Sequence, residues 1–311
     1  MHGIMDTMVR MSFEHIQTPQ RVESNERPPV KAPLVAVREL LRERFEAGPV
    51  KDKLPYHGIE HTEGVVRRAL AIGAALGISE HELRLVEIAA AFHDTVQDWE
   101  EQVNANGEVK RKRNQGANEL KSAGEAEAWM LQFPGEFSDD DRRIVREAIA
   151  GTVPGWDATL STVMQPGLTK DTHPVVRAVA LADLGSSGME PDTFAKEGAQ
   201  LFAEENLDVM DDIHNASSPE DIPLEAQQGY LARYRTWMRM QIQFVKGREV
   251  RVEQELEGLA PEQAEKVRAL FSKFEDSLKI ANDNYQDAEQ ATFEEMARML
   301  LPTAFQLRKA A

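Results

Sequence analysis

A chain of 311 residues with 41% hydrophobic and 29% charged side chains can bury one large core or two modest ones, which excludes disorder as the whole account. The net charge of -17 argues against a nonspecific grip on long nucleic acid, because that grip comes from lysine and arginine displacing counterions; small phosphorylated partners stay open to it. Zero cysteines remove disulfides, thiolate metal ligands and cysteine nucleophiles together, so any metal must be held by His, Asp, Glu or Asn. No apolar run is long enough to span a bilayer, and Met1 to Thr7 lack the basic and apolar regions of a secretory signal. The expectation is a cytoplasmic protein without membrane contact.

Residues 1–33 are mixed and polar, close with Pro29-Val30-Lys31-Ala32-Pro33, and read as a poorly ordered arm. From Leu34 the spacing is helical, with Leu34, Val37, Leu40, Leu41 and Phe45 recurring at helical intervals. The stretch from Gly58 to Leu76 puts His61, Val65, Ala69, Ile72 and Leu76 on one stripe and stops at Gly77. Ser79 with Glu82 is a capping box for a helix whose inner face runs Leu85, Ile88, Ala89, Phe92 and ends in His93-Asp94. Asp98 to Gly116 reads as a polar insertion carrying the basic run Lys110, Arg111, Lys112, Arg113.

A helix follows over 117–131, and Ser138 with Asp141 caps another through Ala150. Thr152 to Thr172 reads as a loop rich in proline and glycine, and Pro174 opens a strongly apolar helix to Leu184. Glu190 to Asn206 is helical. Beyond Pro223, Tyr230, Leu231, Tyr234, Trp237, Met238 and Ile242 form an apolar stripe, with further helices over 261–280 and 287–300. No strand alternation and no glycine-rich phosphate loop stand out. The expected fold class is all-α, with a main domain over 34–250 and a C-terminal helical extension over 251–311 that either packs on the domain or forms an interface between identical subunits.

A lone histidine on an apolar helix face is usually a hydrogen-bonded core residue. Three observations change that reading here. Asp183 continues the buried stripe Val176, Val179, Ala180, where an unpartnered carboxylate would cost several kcal/mol. His93 lies one turn after Ala89 and two after Leu85, and His61 heads the face that Val65 and Ala69 continue. Polar residues that start or end apolar stripes point to a shared centre, and successive helix positions such as His93 and Asp94 can flank one ion. Two nitrogens and two carboxylates suit a divalent Mn, Mg, Fe, Co, Ni or Zn ion and leave coordination positions for water and substrate.

His61, His93-Asp94 and Asp183 resemble the ordered H…HD…D signature of the HD superfamily of metal-dependent phosphohydrolases, whose members are all-helical bundles. Tyr56-His57 before His61 is similar to the Tyr-His-x-x-x-His opening of many members. Asn118-Glu119-x-x-Ser122-Ala123 and Phe244-Val245-Lys246-Gly247-Arg248 resemble a predicted bacterial phosphohydrolase branch.

The resemblance implies that His61, His93, Asp94 and Asp183 ligate the metal. It implies that His57 faces the same pocket, as a general acid for the leaving oxygen or as a hydrogen-bond donor supporting a ligand. Asp98 is a candidate for orienting the attacking water and Glu119 for a second metal or its water. Ser122 is expected to pack and hydrogen bond. Lys110, Arg111, Lys112, Arg113, Arg239 and Arg248 are candidates for holding substrate phosphate, each with a solvated loop or a salt bridge as the plainer alternative.

Extra histidines of binuclear members are not matched, since His173 sits before Pro174 rather than inside a helix; oxygenase chemistry is discounted on that ground. The implied function is hydrolysis of a small phosphorylated, nucleotide-like substrate. The other reading is a degenerate scaffold of this family that binds metal and a nucleotide or protein partner as a sensor.

Overall fold

A computed structural model describes residues 33–46 and 53–305. The arm expected over residues 1–33 lies, apart from Pro33, outside the described residues. Helix α1 (Pro33–Leu41) runs into a π-helical turn, Arg42–Glu46, and buries Val37, Leu41 and Phe45. Helix α2 (Ile59–Leu76) ends at Gly77, whose φ of 71° is the left-handed conformation glycine adopts without strain. Helix α3 (Glu80–Phe92) opens on the Ser79–Glu82 capping box. Hairpin strands β1 (Trp99–Val103) and β2 (Val109–Arg113) follow, then α4 (Ala117–Met130) and α5 (Asp139–Ala150), the latter opened by Ser138 and Asp141. Strands β3 (Gly155–Asp157) and β4 (Thr162–Met164) precede α6 (Pro174–Asp183).

The fold is all-α around one bundle. Helix α2 packs on α3 and α6, and α5 closes against α3 and α6. Helix α6 is buried along its whole apolar length, Val175 to Ala182, as expected for a helix at the centre of a bundle. Val65, Ala69, Ile72, Leu85, Ile88, Ala89, Val179 and Ala180 form its interior.

The two hairpins correct the expectation of plain loops over 98–116 and 152–172. In β2 the period-2 alternation is carried by long basic side chains: Arg111 is buried, while Lys110 and Lys112 are exposed. A pattern written in charged residues is invisible to a search for hydrophobic alternation. Strands β3 and β4 have three residues each and are too short to show a period.

Helices α7 (Ser186–Met189), α8 (Pro191–Glu205) and α9 (Leu207–Asn215) lead to α10 (Leu224–Glu255), a 32-residue helix. It is followed by α11 (Pro261–Leu270), α12 (Phe274–Gln290) and α13 (Phe293–Leu300). Phe202, Val209, Ile213, Tyr230, Tyr234, Met238, Phe293 and Met296 build a second apolar core from α8, α9, α10 and α13. Helix α11 returns to α2, with Gln263 Nε2 donating to the Leu76 carbonyl at 2.6 Å. The C-terminal helices therefore rest on the bundle that precedes them. Among the described residues no helix is long and apolar enough to cross a membrane.

Helix α10 is fixed against β4 by the absence of a side chain at Gly247, where a Cβ would lie 2.5 Å from that of Thr162. The next residue, Arg248, is fully buried and forks onto Glu255 at 2.9 and 2.8 Å while also donating to the Val163 carbonyl. Removing one partner of such a buried pair strands a charge. Arg248→Ala is expected to lower unfolding stability by about 3 to 5 kcal/mol in denaturant titrations, whereas Arg248→Met with Glu255→Leu should lose far less. Equal losses would contradict the pairing argument.

Candidate metal centre

The bundle brings one end of each of three helices together. His61 lies in the first turn of α2, His93 caps the end of α3 with Asp94 beside it, and Asp183 is the last residue of α6. Each offers one ligand atom, and the four atoms all lie within 4.8 Å of one another. Asp94 Oδ2 is 3.0 Å from His93 Nε2 and 3.6 Å from His61 Nε2, and Asp183 Oδ1 is 3.6 and 3.4 Å from the same nitrogens.

The hydrogen bonds around this group fix what each atom can do. His93 Nδ1 approaches the Ala90 carbonyl at 2.8 Å; a carbonyl only accepts, so Nδ1 carries the proton and Nε2 presents a lone pair. His61 Nδ1 faces Glu197 Oε1 at 3.1 Å, which assigns its proton the same way. Both Nε2 atoms are buried with no hydrogen-bond partner. The outer carboxylate oxygens are engaged, since Gln97 donates to Asp94 Oδ1 and Gln165 to Asp183 Oδ2. Two bare imidazole nitrogens and two carboxylate oxygens therefore face one point, an arrangement that repels itself unless a cation or protons sit among them. The donor set fits a divalent ion, and His61, His93, Asp94 and Asp183 would hold it.

Helix α8 supplies support that the sequence reading missed. Glu197 holds His61, and Glu204, fully buried, meets His57 Nδ1 at 2.5 Å and accepts the backbone N–H groups of Tyr56 and His57. The histidines are four residues apart and the two glutamates seven, so one helix face serves both rings. The signal was present: Phe194, Glu197, Leu201 and Glu204 share a helical stripe, and carboxylates on an apolar stripe are the very feature that singled out Asp183.

The structure separates the remaining candidates. His57 is buried with Nε2 3.8 Å from Asp94 Oδ2 and accepting from Arg113. Glu119 is buried, caps α4 through the Gly116 N–H at 2.5 Å, and lines the cavity beside the cluster. Asn118 bonds both the N–H and the carbonyl of Asp98, and Ser122 accepts from the Val96 N–H, so this helix clamps the segment after His93-Asp94.

Asp98 itself is not brought to the cluster; its carboxylate is at the surface, paired with Lys121. Of the basic run, only Arg113 reaches the cavity. Arg111 turns inward over the Trp99 ring at 4.0 Å and donates to the Glu204 carbonyl, Lys112 pairs with Glu100, and Lys110 is exposed. Strand alternation splits the run in this way. Arg239 is exposed outside the cavity and Arg248 is held by Glu255. His173 caps α6 through its Nδ1, away from the cluster.

Burial opposes charge on His93, but Asp94 and Asp183 outweigh it and hold its pKa well above the ordinary value; His61 is raised likewise by Asp183 and Glu197. Burial would raise Asp94, but His93, His57 and His61 hold it far below the usual carboxylate range, as His61 and His93 do for Asp183. Raised histidines stabilise the fold fully below about pH 6.5 and lose that contribution as pH rises through their folded values. Depressed carboxylates contribute above about pH 4 and lose it as pH falls. In chelator, the cluster is thus most stabilising between about pH 4 and 6.5. A divalent ion must displace the imidazole protons, so manganese uptake should strengthen as pH rises above about 6.5, with proton release in calorimetry. Uptake that ignored pH would contradict this assignment. Glu197→Gln should weaken manganese binding about 10- to 100-fold in the same measurement.

Comparison with known proteins matches residues 58–185 to the family model of the HD domain. No curated protein and no solved structure matches the chain. All four cluster residues fall inside the matched segment, whereas Glu197 and Glu204 lie beyond it. Residues 58–185 of this chain are thus similar to the HD domain, and the four cluster residues within them meet as a group able to hold a metal.

Proposed function

We propose that the protein is a divalent-metal-dependent phosphohydrolase acting on a small phosphoester. One observation carries the reading: two partnerless imidazole nitrogens meet two carboxylates, Asp94 and Asp183, that line a cavity of about 560 Å³. A purely structural metal site is closed by its ligands, whereas this one opens onto space for a substrate. The family to which residues 58–185 match is typically hydrolytic.

A bound divalent ion supplies charge for a phosphoryl oxygen and makes its water acidic near neutral pH. The chain's own residues do the rest. Arg113, the guanidinium facing the cavity, binds a second phosphoryl oxygen as a charged donor. Its departure from His57 frees Nε2. Glu204 keeps the His57 proton on Nδ1 and the ring in place, so Nε2 is the atom that accepts a proton and returns it to the leaving oxygen. Water oxygen bonds to phosphorus, the P–O bond to the organic group breaks, and the leaving oxygen ends as an alcohol. Glu119, buried at the cavity wall, orients water.

A closer tie to the bacterial branch is supported by the Asn118, Glu119 and Ser122 pattern, since Asn118 and Ser122 clamp the segment after Asp94 while Glu119 turns to the cavity. The nucleotide-like character of the substrate rests on family resemblance alone.

With manganese added, the purified protein should hydrolyse members of a panel of phosphomonoesters and nucleotides. Asp94→Ala should reduce turnover more than about a hundredfold, beyond the loss expected for a supporting residue, with the helical circular dichroism spectrum retained. Glu204→Gln should reduce kcat by about a hundredfold while manganese still binds. Stoichiometric metal without turnover on any ester would overturn the enzyme reading in favour of a binding scaffold.

A further inference from the structure

The cavity has two unlike halves. The metal cluster lies inside the segment of residues 58–185, but much of the remaining lining comes from α8 and α10, outside it. Apart from Glu197 and Glu205 of α8, this lining carries no charge and is largely apolar. Phe194 and Phe244 stack with centroids 5.8 Å apart and planes 9° apart, and Leu201, Trp237 and Met240 extend the surface. Trp237 donates its indole N–H to the Gly198 carbonyl at 2.8 Å, so that donor is already engaged within the wall. The polar side chains that α10 adds are Gln241 and Gln243, both uncharged amides.

Charge in the cavity runs the other way from what a polyphosphate needs. Among the described residues lining it, Arg113 is the one lysine or arginine, set against Asp94, Asp183, Glu119, Glu197 and Glu205. One metal and one guanidinium can neutralise a single phosphoryl group. A second or third phosphate would lie among carboxylates, where like charges repel. A sugar set against Phe194, Phe244 and Trp237 would have, from α10, only the Gln241 and Gln243 amides as hydroxyl partners.

Resting on the phosphohydrolase reading above, we propose that the substrate is a monophosphate ester of an uncharged, flat, apolar group. The phosphoryl sits between the metal cluster and Arg113, and the organic part lies against Phe194, Phe244 and Trp237. The specificity of the enzyme is then a property of α8 and α10, and its chemistry a property of the bundle.

The test uses the full chain with manganese and esters whose leaving alcohols differ little in basicity: 2-naphthylmethyl phosphate, benzyl phosphate, ethyl phosphate and glycerol 3-phosphate, with a nucleoside monophosphate and triphosphate alongside. The value of kcat/KM should rise from ethyl to benzyl to naphthylmethyl, the last exceeding glycerol 3-phosphate by about tenfold or more, and the triphosphate should be poorest. Met240→Ala, an exposed rim position that carries little folding risk, should shrink the naphthylmethyl-to-ethyl ratio several-fold. Binding of the matching phosphonates, which cannot be hydrolysed, should follow the same order in calorimetry. Turnover without preference for the apolar group, or with preference for the triphosphate, would overturn this proposal and leave the phosphohydrolase reading intact. Ordered phosphonate binding without turnover on any ester would support the apolar site and overturn the hydrolase reading instead. Phosphonates that bind without order would overturn the apolar site whatever the turnover.

Discussion

Everything about this site follows from the cost of holding two carboxylates and two imidazoles together away from bulk water. Each group alone would be expensive to bury, and the four together are tolerable only around positive charge. Helices α2, α3 and α6 meet at this point, so the packing of Val65, Ala69, Leu85, Ala89 and Val179 sets the distances among His61, His93, Asp94 and Asp183. The apolar bundle and the polar cluster are one device: the first supplies rigidity, the second a reason for it. A cation in the cluster would link fold stability to metal and to pH through the same four side chains.

Helix α8 extends that device in a way the matched segment does not. Its two buried glutamates hold the ring protons of His57 and His61 on Nδ1, leaving both Nε2 atoms directed inward. The same helix then turns Phe194 and Leu201 toward the cavity. Support for the histidines and part of the cavity lining thus come from one element, and a shift of α8 would alter both together. The long α10 and the second apolar core behind it keep α8 in position.

The β1–β2 hairpin illustrates how local geometry redistributes a run of like charge. Four basic residues in a row suggest one phosphate-binding patch, yet a strand sends neighbours to opposite faces. Arg111 becomes a structural side chain under Trp99, Lys110 and Lys112 meet solvent, and Arg113 alone enters the cavity, held between His57 and the carboxylates of α8. The consequence is a site with a single guanidinium, which limits the charge of what it can bind.

Much of this was legible in the sequence alone. Helical spacing and capping boxes located most of the helices up to α8 to within a few residues, because apolar periodicity and caps such as Ser79–Glu82 and Ser138–Asp141 are local. The expected helices over 261–280 and 287–300 are divided differently, into Pro261–Leu270, Phe274–Gln290 and Phe293–Leu300. The metal group was legible because His61, His93 and Asp183 interrupt apolar stripes, where a polar residue calls for a partner. Tertiary structure decided what depends on contacts between distant segments. It paired Glu197 and Glu204 with histidines well over a hundred residues earlier, sent Asp98 to Lys121 at the surface, and gave Arg248 to Glu255 instead of to a ligand. Spacing along one helix tells which face a side chain shares. Only the packing of helices tells which other face it meets, and that is why the four residues of the cluster stood out in the chain while their partners and the apolar lining did not.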